Sequence, residues 1–256
     1  MAATFRKHRP DAPRGFFACE AAGLRWLAAA PGGAAVVGVL AVAEDALELE
    51  RLSPAAPDAT AAEELGRSLA ATHAAGADAF GAPPDGWEGD GFFGPLDEPL
   101  PLLADDRETW GAFQADRRVE QVRDLLAQRG ALPRALRSDL DRLADRLRSG
   151  DFDDGLAPAR LHGDLWSGNV MWTDRGAVLI DPAAHGGHPV TDLAMLMLFG
   201  LPHLSRVLDS YQEAADLPDG WRDLVGLHQV HPVGMHAVLF GGGYGAQLAE
   251  LVRRYV

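Results

Sequence analysis

Leu161-His162-Gly163-Asp164-Leu165-Trp166-Ser167-Gly168-Asn169-Val170, followed by Val178-Leu179-Ile180-Asp181-Pro182, is the stretch on which the reading of this chain turns. An apolar residue leads into His-Gly-Asp. An asparagine follows five positions after Asp164, and a short apolar run ends in a second aspartate twelve positions beyond Asn169. Singly these residues are ordinary, since aspartate beside a strand and asparagine in Ser-Gly-Asn usually serve turns and caps. Together they gather two carboxylates and an amide oxygen around one turn between short apolar strands.

Kinase-type phosphoryl transfer needs that set. One carboxylate takes the proton of the attacking hydroxyl, while an amide oxygen and a second carboxylate hold the magnesium that bridges the nucleotide phosphates. Asp164 is the expected general base, and Asn169 and Asp181 are the expected Mg2+ ligands. The spacing D-x-x-x-x-N is that of the kinase catalytic loop, with Gly163 where protein kinases carry arginine. His162 is expected to brace the loop through hydrogen bonds, because the base role falls to the aspartate. A kinase also needs a strand lysine on the phosphates, paired to a helix glutamate. Lys7 is the only lysine among 23 Lys and Arg residues, and Glu20 follows in the first expected helix. Gly241-Gly242-Gly243 is no phosphate loop, because such a loop follows a strand and opens a helix.

Composition bounds the alternatives. A chain of 256 residues with 47% hydrophobic and 23% charged residues has the make-up of a globular protein with a sizeable core. Its formal charge of -14 argues against a nucleic-acid partner. The single Cys19 allows no internal disulfide and no cysteine-rich metal site. Phe5-Arg6-Lys7-His8-Arg9 is charged and leads into Pro10, so no signal peptide is expected. The longest apolar run, residues 34–43, is too short to span a bilayer. A cytoplasmic protein without a membrane partner is expected.

Periodicity predicts a strand over 4–8, a helix over 16–30, and strands over 36–40 and 47–52. The Pro-rich break at 53–58 is the expected hinge between two lobes. The first, 1–53, would bind nucleotide, with Glu50, Arg51 and Leu52 offering backbone groups to the adenine. The second, 54–256, would bind substrate and carry the catalytic residues. In it helices are expected over 60–75, 108–129, 133–149, 191–199, 203–215, 220–240 and from 244. Short strands are expected at 160–161 and 177–180. Residues 80–101 read as a long loop whose Trp87, Phe92 and Phe93 pack over a cleft. The fold class is α+β: a bilobal, protein-kinase-like fold with a small β-rich lobe and a larger helical one.

The wording of the motifs is narrower than kinase chemistry alone requires. Leu-His-Gly-Asp-Leu-Trp-Ser-Gly-Asn-Val from 161, Ile180-Asp-Pro-Ala183, His188 and Asp192-Leu193-Ala194 resemble the fructosamine kinase (ketosamine-3-kinase) family, within the aminoglycoside phosphotransferase-like superfamily. Further matches lie at 16–27, 65–73, 80–81, Trp110 with Phe113, and 240–244, so the resemblance runs over nearly the whole chain. It implies ATP and Mg2+ as cofactors, Asp164 as proton acceptor, Asn169 and Asp181 on the metal, and Lys7 on ATP. It also implies phosphorylation of the 3-hydroxyl of a fructosamine or ribulosamine, a deglycation reaction. The acceptor would be a small-molecule ketosamine or a glycated protein lysine. Trp166 and His188 could face the sugar or its amine, with core packing an equal reading for Trp166.

The sequence departs from the kinase pattern at its start. Only six residues precede Lys7, so the strands and Gly-rich turn that normally cover the phosphates are expected to be missing. Two other readings stay open at this level: a kinase for an aminoglycoside or another small molecule, and a catalytically impaired, kinase-like binding protein.

Overall fold

Strand β1 (Thr4–His8) is followed by helix α1 (Phe16–Ala28) and strands β2 (Ala35–Val36), β3 (Val39–Val42) and β4 (Ala46–Glu50). The structure, a computed structural model, describes residues 4–95 and 97–256; residues 1–3 of the expected first lobe and Leu96 of the expected loop lie outside it. β1, β4 and β3 form an antiparallel sheet in that order, with Lys7 opposite Leu47. The alternation of β4 turns Leu47 and Leu49 onto Phe17, Ala21 and Leu24 of α1, so one sheet face is sealed by one helix. Gly15 opens α1 at φ +81°, and the Trp87 ring packs where a side chain would stand.

The single strand expected over 36–40 is in fact a change of sheet. Val36 pairs with Leu179, Val37 N–H donates to the Leu179 carbonyl, and Gly38 then turns to Glu50. A register shift between Val39 and Ala41 leaves Leu40 exposed on the far side.

After the break at 53–58 the chain is mostly helical. α2 (Ala59–Ala74) is capped by Asp58, whose Oδ1 accepts from Thr60 N–H at 2.8 Å and Ala61 N–H at 2.9 Å. Within the expected loop 80–101 lies a short hairpin, β5 (Gly91–Phe93) and β6 (Leu100–Leu102). Helix 108–129 is built of α3 (Trp110–Phe113), a π-helical stretch (Gln114–Val119) and α4 (Glu120–Gln128). α5 (Arg134–Arg148) follows.

The decisive stretch lies between β7 (Ala159–Leu161) and three more strands: β8 (Val170–Thr173), β9 (Gly176–Leu179) and β10 (His185–Gly187). β9 lies between β2 and β8, and β10 pairs with β7. Then come α6 (Val190–Phe199), α7 (Leu204–Ala214), α8 (Val225–His228), α9 (Val230–Phe240) and α10 (Gly243–Arg253). The one helix expected over 220–240 is broken, because its first turn is 3₁₀ (Trp221–Leu224) and Pro232 has no N–H to donate to the His228 carbonyl. Two apolar clusters fill the large lobe, and a third joins α1 and β4 to Val178 of β9.

Candidate active site

The loop after β7 is held from below. Asp192, in the first turn of α6 and 1% exposed, accepts His162 N–H at 2.8 Å and Gly163 N–H at 2.9 Å. It also accepts His73 Nε2–H at 3.1 Å, while Tyr211 O–H donates to His73 Nδ1 at 2.7 Å. Burial pulls the Asp192 carboxyl upward, but the hydrogen bonds from His73 and Gly163 N–H and the adjoining His73 and His162 rings outweigh it and hold it below its ordinary range. Gly163 has φ +81°, and a Cβ there would overlap the Ala183 carbonyl. The loop thus presses against the segment that follows β9, and only glycine fits.

His162 completes this brace as expected. It is fully buried, and burial lowers its pKa, so it is neutral. Nε2–H donates to the Ile180 carbonyl at 2.9 Å, and Nδ1 accepts Asp164 N–H at 3.3 Å. Both ring nitrogens are therefore engaged in positioning the loop.

Asp164 and Asn169 face each other across the turn. Asn169 Nδ2 donates to the Asp164 carbonyl at 2.8 Å, to Asp164 Oδ2 at 3.1 Å and to the Asp181 carbonyl at 3.3 Å. Its Oδ1 accepts no hydrogen bond among the described residues. Burial raises the Asp164 pKa to about 7; the Asn169 bond opposes this, and the charges of Asp192 and Asp181 add to it. Asp181 sits at φ +54°, a left-handed conformation that costs a non-glycine residue roughly 1 kcal/mol or more. Its side chain is 42% exposed, and Oδ1 accepts from Lys7 Nζ at 2.7 Å.

Lys7 Nζ also meets Glu20 Oε1 at 2.6 Å, so β1, α1 and the end of β9 converge on one ammonium. Burial alone would lower the Lys7 pKa; Glu20 and Asp181 outweigh it, and the group is held above its ordinary value. Lys7, Glu20, Asp164, Asn169 and Asp181 line one end of a cleft of about 650 Å³. Phe92 and Phe93 of the hairpin lie along it, as do Phe199, His236 and Phe240. The cleft is within the size range of small-ligand sites.

Of the two residues expected near a substrate, only Trp166 reaches this cleft. It is 39% exposed, edge-on to Phe199 at 6.1 Å, and it folds over Gly168, where a Cβ would collide with its ring. His188 is instead 4% exposed, with Nε2 3.0 Å from Asp154 Oδ2 and its ring against Trp110 and His228. The nucleotide-side segment also differs from expectation. Glu50, Arg51 and Leu52 do not line the cleft. Glu50 N–H donates to the Gly38 carbonyl and its carboxylate accepts Gly38 N–H and Arg175, so its backbone donor is not open to an adenine. Arg51 Nε donates to the Thr4 carbonyl at 3.1 Å, and Leu52 packs under the sheet.

The donor chemistry fits a hard divalent ion. The Asp164 and Asp181 carboxylates and the Asn169 amide oxygen, which accepts no hydrogen bond, share the cleft, and burial with the nearby Asp192 and Asp181 charges raises the Asp164 pKa. Among the described residues there is no cluster of three or more His, Cys, Asp or Glu side chains placed to hold a metal.

The fructosamine kinase family model matches residues 2–256. The chain belongs to the fructosamine kinase family. A probable ketoamine kinase of Enterococcus faecium is 29% identical over 255 residues, covering 99% of this chain and 87% of that protein. The crystal structure of a candidate fructosamine-3-kinase from Thermobifida fusca superposes with a TM-score of 0.89 at 44% identity, over 98% of this chain and 85% of that one. An ADP-bound aminoglycoside phosphotransferase, 13% identical with a TM-score of 0.55 over 90% of this chain and 78% of that one, shares the fold. Fructosamine kinase membership makes the chain a phosphotransferase of the ketosamine kinase kind, and its fold is the bilobal α+β fold of kinases. No helix among the described residues is long and apolar enough to cross a membrane.

Proposed function

We propose that this fructosamine kinase transfers the γ-phosphoryl group of ATP to the 3-hydroxyl of a ketosamine, a fructosamine or ribulosamine, in a deglycation reaction. The observation that carries the proposal is the convergence of Asp164, Asn169, Asp181 and the Lys7–Glu20 pair on one cleft. Asp164 accepts the proton of the attacking hydroxyl, whose oxygen bonds to phosphorus as ADP departs. Asn169 Oδ1 and the Asp181 carboxylate hold Mg2+. The ion would supply positive charge against the phosphates. Lys7, kept cationic and aimed by Glu20, binds phosphate oxygens. Trp166, Phe199 and Phe240 offer aromatic faces to the acceptor, which is a small ketosamine or a glycated lysine side chain. Residues 1–53 form the nucleotide lobe and 54–256 the catalytic lobe of a cytoplasmic enzyme.

The test is ADP release with a synthetic fructosamine and Mg-ATP, comparing wild type with Asp164→Asn. Loss of the base should lower kcat about 10²- to 10⁴-fold with little change in the KM for ATP. A variant that keeps wild-type kcat would remove Asp164 from this role.

A further inference from the structure

The cleft is divided by charge. Lys7, Glu20, Asp164 and Asp181 gather at one end, and no other charged side chain among the described residues lines it. The rest is walled by Phe92, Trp166, Met195, Phe199, Leu239 and Phe240. Its rings form a continuous row. Trp166, two positions beyond Asp164, meets Phe199 at 6.1 Å between centroids; Phe199 meets His236 at 5.0 Å, and His236 meets Phe240 at 5.5 Å. The row begins beside the proposed base and ends at Phe240, which is 61% exposed. It is continuous apolar surface that the chain itself leaves uncovered.

The groove has two walls. Gly94, at the end of β5, has φ +94°, and a Cβ there would stand 3.3 Å from Leu239 Cδ1 of α9, so the hairpin lies against that helix. Nor does the row carry hidden charge. His236 Nδ1–H donates to the Pro232 carbonyl at 2.7 Å, and burial lowers the pKa of the ring, so it is neutral. Lys7, the one lysine or arginine among the described residues that lines the cleft, is bonded to Glu20 and Asp181. A carboxylate among these rings would lose hydration without gaining a counter-charge. A hydrocarbon or aromatic group would gain both burial and ring contacts.

Resting on the ketosamine reading above, we infer that this row of rings holds the substituent on the acceptor's amine and selects an uncharged aryl or alkyl group there. The nitrogen of a ketosamine lies on C1 and the reacting hydroxyl on C3. With that hydroxyl at Asp164, the substituent extends past Trp166 toward Phe240. Adducts of apolar amines are therefore preferred over adducts of amino acids, whose carboxylate stands next to the nitrogen.

Calorimetric titration without ATP tests this with the fructosamines of methylamine, benzylamine and glycine, and ADP release is measured on the same compounds with Mg-ATP. The benzylamine adduct should bind about 10- to 30-fold tighter than the methylamine adduct, and the glycine adduct should bind weakest. Phe240→Ala, a change at an exposed position, should cut the benzyl advantage to about 3-fold or less. Mg-ADP should not displace the benzylamine adduct. Equal affinities for the three adducts, or a benzyl advantage untouched by Phe240→Ala, would overturn the inference. So would displacement by Mg-ADP, which would give the rings to the adenine, or a failure of all three adducts to bind. Graded, Phe240-dependent binding without ADP release would support the groove and refute the ketosamine kinase reading, whereas ADP release with equal affinities would do the reverse.

Discussion

Asp164 meets two opposed demands, one from folding and one from its proposed role as base. Burial, together with the nearby Asp192 and Asp181 charges, raises its pKa to about 7, while Asn169 only partly offsets that. The unfolded chain has this carboxyl near its ordinary value of 3.8. Between the two values the folded state binds more protons than the unfolded one, so this group's contribution to stability is fully present at low pH and declines as pH rises from about 4 to about 7. Asp164→Asn removes that decline while keeping an acceptor for Asn169. Free of Mg2+, the variant should match wild type at pH 4.5 and gain on it up to pH 8. There, after discounting for solvent at the cleft mouth, it should be about 1 kcal/mol more stable, or 2–4 °C higher in Tm. Thermal melts across that range check this, and a variant that melts below wild type at pH 8 would contradict the strained-carboxylate account. That Asp164 and Asn169 meet was legible, because their five-residue spacing puts both on one turn. Asp192 and His73 were not, since an aspartate in a helix's first turn and a histidine on a helix's apolar face look like capping and packing until the loop is laid across them.

At the scale of elements, the tightest junction is that of α2 with α7. A Cβ on Gly66 would overlap the Val207 carbonyl and Ser210 Oγ, so the helices touch backbone to backbone. Gly66→Ala should therefore destabilise by about 2–3 kcal/mol, because the obstacle is backbone rather than a side chain that can rotate. Elsewhere on a helix the same change would stabilise by roughly 0.5–1 kcal/mol. Chemical denaturation distinguishes the two signs. Long periodic helices such as α2 and α5 were legible within a residue or two, because their apolar stripes and the Asp58 cap are local signals. The hairpin of β5 and β6 was not, since three-residue strands with Pro101 in one of them carry no readable alternation. The switch of sheets at Gly38 also had no local mark: Val36 to Leu40 is apolar whichever sheet it joins.

Over the whole molecule, the bilobal α+β fold class was legible from the change of pattern along the chain, but the way β2 joins β9 was not. β2 adds to β9, and Val178 enters the core under α1, so the N-terminal elements are seated on the strand that leads to Asp181. Lys7 ties the same three elements by charge, through Glu20 and Asp181. Removing the ammonium alone leaves the Glu20 carboxylate buried next to Asp181, so Lys7→Met should cost about 3 kcal/mol. Replacing both members, Lys7→Met with Glu20→Met, exchanges a buried pair for apolar side chains of similar reach, and stability should return to within about 1 kcal/mol of wild type. Turnover should not return, because the cation proposed to bind the phosphates is still missing. Melting curves and ADP release measured on the three proteins separate the two roles. If Lys7→Met melts with wild type, the ammonium does not hold the lobes together. If the double variant regains turnover, the phosphates are bound by another group. The expected pattern, stability restored and turnover absent, would show one lysine serving the fold through its carboxylate partners and the reaction through its charge.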